Sequence, residues 1–290
     1  MTARKKKCIR FAVIAAVLLA LAAWIAWGNN ALELNTYIVS SSKLPRGFDG
    51  YRIAHVSDLH NGERGEDNEK LLGMLRDAEP DMIAITGDLI DSRKTNVAVA
   101  LKFIEEAVKI APCYYVTGNH ESRTDAYLEL KTGINAAGAV VLEDARIQIT
   151  QGSDAVTLIG VNDPTFGKNK MLGDEEAVVD TKLIELHTNK DEFTVLLSHR
   201  PELFDIYVKH HIDLALSGHA HGGQFCLPFL GGLVAPNQGL FPQYDAGLYT
   251  KDDTNMIVSR GIGNSLFPFR LNNSPEIILI ELKSEDTYVS

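Results

Sequence analysis

The chain has 290 residues, 45% hydrophobic and 23% charged, enough for one large globular domain or two small ones. Its formal net charge is −10, and the basic residues Arg4, Lys5, Lys6, Lys7 and Arg10 precede the first acid, Glu33. Removing those five from the 28 basic residues leaves 23 against 38 acidic ones, about −15 for the body. That balance excludes a basic nucleic-acid surface and suits an acidic centre holding divalent cations.

Residues 11–27 carry no charge. Seventeen helical residues span about 25 Å, near the short limit for a bilayer. Trp24 and Trp27 fall at the far end, where interfacial aromatics belong, and the basic cluster marks the cytoplasmic side. Two readings stay open. One is an uncleaved anchor over residues 1–30, which the length of the apolar run favours. The other is a signal peptide cleaved near Ala26-Trp27-Gly28. Either exports the body, membrane-anchored in the first case and secreted in the second. No twin-arginine pair occurs.

Residues 31–50 read as a polar, extended lead-in, and residues 51–290 as the main domain. There the pattern alternates. Strands are predicted at Arg52–Ser57, Asp81–Thr86 and Cys113–Thr117, with helices at Asn68–Asp77, Val97–Ile110 and Asp125–Ala137. This half implies a parallel sheet covered by helices. The second half is richer in strands: Val140–Leu142, Arg146–Thr150, Ala155–Val161, Phe193–Ser198, Asp213–Ser217, Met256–Ser259 and Glu276–Leu282. A helix is predicted over Glu175–Thr188 and a short one from Pro201. Two helix-backed sheets would form one domain. Cys8, Cys113 and Cys226 include no CxxC pair, so Cys113 and Cys226 read as small buried hydrophobes, with a disulfide between them left open.

Each strong polar cluster follows a strand, where open α/β sheets carry their sites. In order these are Asp58-Leu59-His60, Gly87-Asp88-Leu89-Ile90-Asp91, Gly118-Asn119-His120-Glu121, Ser198-His199-Arg200 and Gly218-His219-Ala220-His221-Gly222-Gly223. His219 and His221, two apart, would face the same way in an extended chain, and the glycines permit a sharp turn and close backbone approach. The mixture of imidazole, carboxylate and amide suits Mn²⁺, Fe or Zn²⁺ better than Ca²⁺. Any one cluster alone is commonplace; five in order are not.

That order of motifs resembles the calcineurin-like metallophosphoesterases over residues 51–282. The anchor, the Gly-His-x-His-Gly-Gly-Gln form and the tail Ser259-Arg260-Gly261-Ile262-Gly263 look like the membrane-associated bacterial subgroup, near phosphodiesterases of the UDP-2,3-diacylglucosamine pyrophosphatase type. The resemblance implies an α/β fold, a four-layer α/β/β/α sandwich of two mixed sheets, preceded here by a transmembrane helix. It implies two divalent cations. Asp58, His60 and His221 would bind one, Asn119, His199 and His219 the other, and Asp88 would bridge them. A bridging hydroxide would attack phosphorus. His120 would stabilise the transition state and protonate the leaving oxygen, oriented by Asp91. Glu121 stays unassigned.

The expected substrate is a phosphodiester or pyrophosphate, with a lipid-linked or cell-envelope compound favoured by the anchor. The alternatives are a phosphomonoesterase and a non-catalytic metal-binding envelope module. Arg200, Arg260 and Arg270 are candidates for binding substrate phosphate, against ordinary ion pairing. His55 reads as a core or supporting histidine, and His187, His210 and His211 as surface groups. The apolar stretch from Phe225 to Pro242 has two readings, a packed loop closing the core or a greasy lip beside the metals, which Leu266-Phe267-Pro268-Phe269 would extend.

Overall fold

The structure is a computed structural model that describes residues 3–166, 175–227, 229–264 and 267–285. Two six-stranded mixed sheets face each other, with helices on both outer faces. The elements of the first half are α1 (Ala3–Asn30), β1 (Glu33–Ser41), β2 (Arg52–Val56), α2 (Glu69–Asp77), β3 (Met82–Thr86), α3 (Val97–Ala107), β4 (Cys113–Val116), α4 (Tyr127–Ala136) and β5 (Val140–Val141). Those of the second half are β6 (Ala145–Gln151), β7 (Asp154–Gly160), α5 (Glu175–Leu186), β8 (Thr194–Leu197), α6 (Phe204–Lys209) and β9 (Leu214–Ser217). The chain continues through β10 (Cys226–Leu227), β11 (Gly231–Gly232), β12 (Val234–Ala235), β13 (Gly239–Leu240), β14 (Gly247–Lys251), β15 (Thr254–Val258) and β16 (Glu276–Ser284).

The first sheet has the order β1-β16-β2-β3-β4-β5, with β2 to β5 parallel and β16 antiparallel to β2. The second has the order β14-β15-β9-β8-β7-β6, parallel from β15 to β7, with antiparallel edges. The central strands β3, β8 and β9 are buried along their whole length, as expected where both faces are covered.

Strand alternation sorts the side chains into layers. In the first sheet Ile53, Met82 and Ala84 point between the sheets, where they meet Leu158, Val195, Leu197, Leu214 and Leu216. Their neighbours Ala54, Ile83 and Ile85 point outward onto Leu71, Phe103, Ile104 and Ile134 of α2, α3 and α4. On the far side Ile159, Leu196, Ala215 and Met256 pack under Val179 and Leu183 of α5 and Phe204 and Tyr207 of α6. Helix–sheet–sheet–helix is therefore the layer order.

The stretch read as a lead-in contributes a strand. β1 lies parallel to β16 at the sheet edge, with side chains alternating between half-buried and exposed. β14 and the hairpins β10–β11 and β12–β13 were also outside the predicted elements. Arg4–Asn30 is long and apolar enough to cross a membrane, with a mean hydropathy of 2.4 in a window wholly exposed against the body. Cys8, Cys113 and Cys226 are free thiols, so the Cys113–Cys226 disulfide left open by the sequence is not formed.

Two of the surface histidines are corrected. His187 and His210 are each only 7% exposed. His210 Nε2 sits 2.6 Å from Asp180 of α5, while His187 lies 2.9 Å from the His210 carbonyl and 3.2 Å from Thr194 Oγ1. They tie α5 to α6 and β8. His211 is exposed, as expected. His55 is fully buried and 2.7 Å from Thr86 Oγ1, a core position.

Candidate metal centre

The loops leaving β2, β3, β4, β8 and β9 meet at one edge of the two sheets. Backbone bonds zip the first two together: Asp58 N–H donates to the Gly87 carbonyl at 3.0 Å and His60 N–H to the Asp88 carbonyl at 2.9 Å. Glycines make the approach feasible. A Cβ on Gly87, whose φ is +87°, would lie 2.4 Å from the Gly118 nitrogen. A Cβ on Gly218 would lie 1.9 Å from Ser57 Oγ and 2.2 Å from Asp58 Oδ2. Gly218→Ala is therefore expected to drive the Asp58 carboxylate out of place. Metal analysis of the purified variant should show fewer cations per chain than the parent.

Asp58, His60, Asp88, His219 and His221 all have positive φ, between 47° and 66°. Non-glycine residues avoid this region at a cost of about 1–3 kcal/mol each, and such strain gathers at functional sites. It also corrects the extended reading of the two-histidine motif. The chain turns at His219 and again at His221, so the two rings part company. His221 joins Asp58 and His60, while His219 joins Asp88 and His199, each trio with one ligand-type atom per residue within 4.8 Å of the others.

Asp88, a member of the second trio, also faces the first. Its Oδ2 is 3.5 Å from His60 Nε2 and 3.3 Å from His199 Nε2. His60 Nε2 and His221 Nε2 are 3.1 Å apart and lie 3.7 and 3.3 Å from Asp58 Oδ1. His199 Nδ1 sits 2.7 Å from the Thr86 carbonyl, to which it donates, leaving Nε2 aimed at Asp88, the position a cation would take in place of a proton. The Asn119 amide nitrogen donates to His219 Nδ1 at 2.8 Å, and its oxygen accepts from Arg123 Nη1 at 3.1 Å and from His120 N–H at 3.2 Å. Buried lone pairs brought together without donors are what a cation resolves. This nitrogen and oxygen set fits two divalent ions of the Mn²⁺, Fe or Zn²⁺ kind.

The electrostatics agree. Burial opposes the charge on Asp58, yet His221, His60 and His199 together outweigh it and hold the carboxyl well below its usual range. Asp88 is likewise held low, burial being overcome chiefly by His199. For His199, burial is outweighed by Asp88 and Asp58, and its pKa rises to about 10. Burial instead lowers His221 to about 3 and His120 below the ordinary histidine range.

Glu121, unassigned from sequence, is a buried brace. Its Oε2 accepts from the backbone N–H groups of Asp88 (2.9 Å) and Gly118 (2.8 Å), and Oε1 from Ile90 N–H (3.3 Å). Burial, and then repulsion by Asp88, raise its pKa to about 7. The tail glycines have a similar supporting place. Ile262 and Gly263 donate to the carbonyls of Ser57 and Asp58 at 3.0 and 2.7 Å, and a Cβ on Gly261 would meet that of Asp58 at 2.6 Å.

A cleft of about 310 Å³ opens over the cluster. Asp88, Asn119, His120, His219 and His221 line it together with Ser92, Arg93, Arg123, Pro236 and Asn237. The His120 ring stands edge-on to His60, with centroids 4.6 Å apart. Ser92 N–H donates to His120 Nδ1 at 3.0 Å, so the neutral ring carries its proton on Nε2. The orienting contact is thus Ser92. Asp91 Oδ1 lies 3.5 Å from Nδ1, and its oxygens instead accept from Arg93 at 2.6 and 3.0 Å.

The three arginines expected near substrate sit elsewhere. Arg200 is 1% exposed, its Nε and Nη2 bonded to Asp163 and its Nη1 3.2 Å from His219 Nε2. Arg260 pairs with Glu33 and Glu276 at the sheet edge. Arg270 is buried, donating to the carbonyls of Arg260 and Gly263. The cleft's arginines are Arg93 and Arg123. Both follow motif residues by two or three positions, a signal that the sequence carries. Asp163→Ala would leave the Arg200 charge buried without its main partner, an expected loss of about 3–5 kcal/mol readable by denaturant titration.

These features define a hydrolase with a metal centre at the strand ends of a double sheet. Residues 51–223 match the family model described as calcineurin-like phosphoesterase. The chain belongs to that family and is a metallophosphoesterase, a hydrolase of phosphoric esters. It is 29% identical over 261 residues to the metallophosphoesterase YkuE of Bacillus subtilis, covering 87% of this chain and 86% of that one. To the phosphodiesterase YaeI of Escherichia coli it is 26% identical, covering 80% and 82%. A Danio rerio protein named transmembrane protein with metallophosphoesterase domain is 27% identical, covering 83% of this chain and 55% of that one. Among solved structures, TT1561 of Thermus thermophilus shares the fold, with a TM-score of 0.50, 14% identity and coverage of 73% and 90%.

Proposed function

We propose that the chain is a membrane-anchored, extracytoplasmic, dinuclear phosphodiesterase or pyrophosphatase. The observation that carries the reading is Asp88 Oδ2 set between His60 of one ligand trio and His199 of the other. Asp58, His60 and His221 would hold one cation and Asn119, His199 and His219 the other, with Asp88 shared. Two divalent ions held there supply charge neutralisation at the phosphoryl oxygens and acidify a water. His120, with Nδ1 capped by Ser92, offers Nε2–H as a hydrogen bond to the charge growing on the leaving oxygen, which takes its proton from solvent. Arg93 and Arg123 orient the non-bridging oxygens. The basic residues in the first turns of α1 support a cytoplasmic start for the helix and a body on the other side of the membrane.

A phosphomonoesterase is the second reading, and the two cleft arginines favour it, since a monoester brings a second negative charge. Turnover of bis-aryl and mono-aryl phosphates by Mn²⁺-loaded protein decides. Faster turnover of the diester is expected. Preference for the monoester overturns the diesterase assignment, and inactivity on both with every divalent metal would leave a metal-binding module.

A further inference from the structure

Residues 225–244 contain no charged side chain, in a chain that is 23% charged. They form the two hairpins β10–β11 and β12–β13. Yet this uncharged stretch is displayed to solvent. Phe229 is fully exposed, and Leu230, Leu240 and Phe241 are each more than half exposed. An apolar patch of this kind marks a surface that something covers.

What covers it follows from where it is attached. The last turn of α1 is fixed to the body at Asn29, which donates from Nδ2 to the Arg270 carbonyl (2.8 Å) and accepts at Oδ1 from Arg270 N–H (2.7 Å). Arg64 Nη1 adds a bond to the Asn29 carbonyl at 2.6 Å. One residue before Arg270 is Phe269, which like Phe267 is about two-fifths exposed. Both rings pack on Phe225, with centroids 5.5 and 5.1 Å apart, and Gln224 Nε2 holds the Phe269 carbonyl at 2.7 Å. Phe225 begins the uncharged stretch. The end of the membrane helix, two half-exposed aromatics and the hairpins are thus successive contacts of one surface. Trp24 and Trp27, the interfacial aromatics of the helix, lie within six residues of Asn29 and are themselves exposed. At its other end the same stretch reaches the cleft, since Pro236 and Asn237 of the β12–β13 turn line it.

We propose that residues 225–244, with Phe267 and Phe269, seat on the bilayer surface beside α1. The metal cleft then opens at the membrane interface, and the substrate is a phosphoester of an amphiphile whose apolar part stays in the bilayer. This rests on the anchored metallophosphoesterase reading above. The choice of a bilayer over a protein partner follows from the helix continuity and from charge. The body is strongly acidic, so only an uncharged face lies comfortably against anionic lipid, with its aromatics inserted at headgroup depth.

The test uses the full chain with Trp24→Phe and Trp27→Phe, reconstituted in phosphatidylethanolamine–phosphatidylglycerol vesicles. Phe229→Trp supplies the reporter, and Leu128→Trp, on exposed α4, the control. Lipids spin-labelled near the headgroup are expected to quench most of the emission of F229W and little of L128W. Vesicle-bound protein with F229W unquenched overturns the docking. Protein that does not float with vesicles overturns the anchor beneath it. Self-association in detergent that shields F229W would assign the surface to a second copy and overturn the bilayer as occupant. In a second arm, Phe229→Ser with Leu230→Ser should lower the ratio of vesicle-borne to water-soluble aryl phosphodiester turnover by about tenfold or more. An unchanged ratio overturns the substrate class. Failure of the parent protein to hydrolyse either ester faults the phosphoesterase reading instead.

Discussion

Asp88→Asn is expected to abolish phosphodiester hydrolysis, with a loss greater than the roughly 10–100-fold that removal of an outer-shell partner costs. The substitution keeps the shape of the side chain. Its Oδ1 still accepts from His120 N–H, which now lies at 2.8 Å, so the loop after β4 stays in place. What changes is Oδ2, which becomes an amide donor facing His60 and His199 at 3.5 and 3.3 Å. An amide there can neither bridge two cations nor balance their charge. Thermal stability close to that of the parent, together with lost activity and lost metal, is the expected pattern. A purified Asp88→Asn protein with full activity would remove the shared-carboxylate mechanism.

His120→Asn should leave metal content close to the parent's, because His120 lies outside the trios of Asp58 and Asp88 and groups only with His60 and Asp91, and lower kcat by roughly 10²–10⁴. The loss should depend on the leaving group. A nitrophenolate spreads its charge over the ring, so its ester is little affected, while an alkyl leaving oxygen gathers the most charge, leans most on the Nε2–H hydrogen bond and suffers most. Equal losses across a series of leaving groups would assign His120 to phosphate binding rather than leaving-group stabilisation. Ser92 contributes through its backbone N–H, so substituting its side chain should matter far less.

The sequence made the sheets legible where hydrophobic runs were uninterrupted, as in β2, β3, β8 and β9, because strands covered on both faces have no polar alternation to confuse them. β1 was read as a lead-in because an edge strand needs only one good face, and Asn35, Thr36 and Ser40 look like loop. The hairpins β10–β13 have two-residue strands bounded by glycine and proline, below what periodicity resolves.

At the site, residue types and order were readable, and direction was not. His219 and His221 diverge because both adopt positive φ, which spacing does not encode. Arg200 lies beside a motif yet turns away to Asp163, while Arg123, farther along the chain from its motif, reaches the cleft. Glu121 was passed over because a buried carboxylate that receives three backbone N–H groups has the same sequence signature as a surface glutamate. Of the two readings of the apolar stretch, the packed loop fails at Phe229, Leu230, Leu240 and Phe241, which remain in solvent.

The measurement that tests the central claim most directly is metal content against activity. Chelator-stripped protein is titrated with Mn²⁺ while bound metal and phosphodiester turnover are followed together. Two cations per chain are predicted, with turnover rising only as the second site fills. Full turnover with the metal removed, or with a single cation bound, would contradict the account.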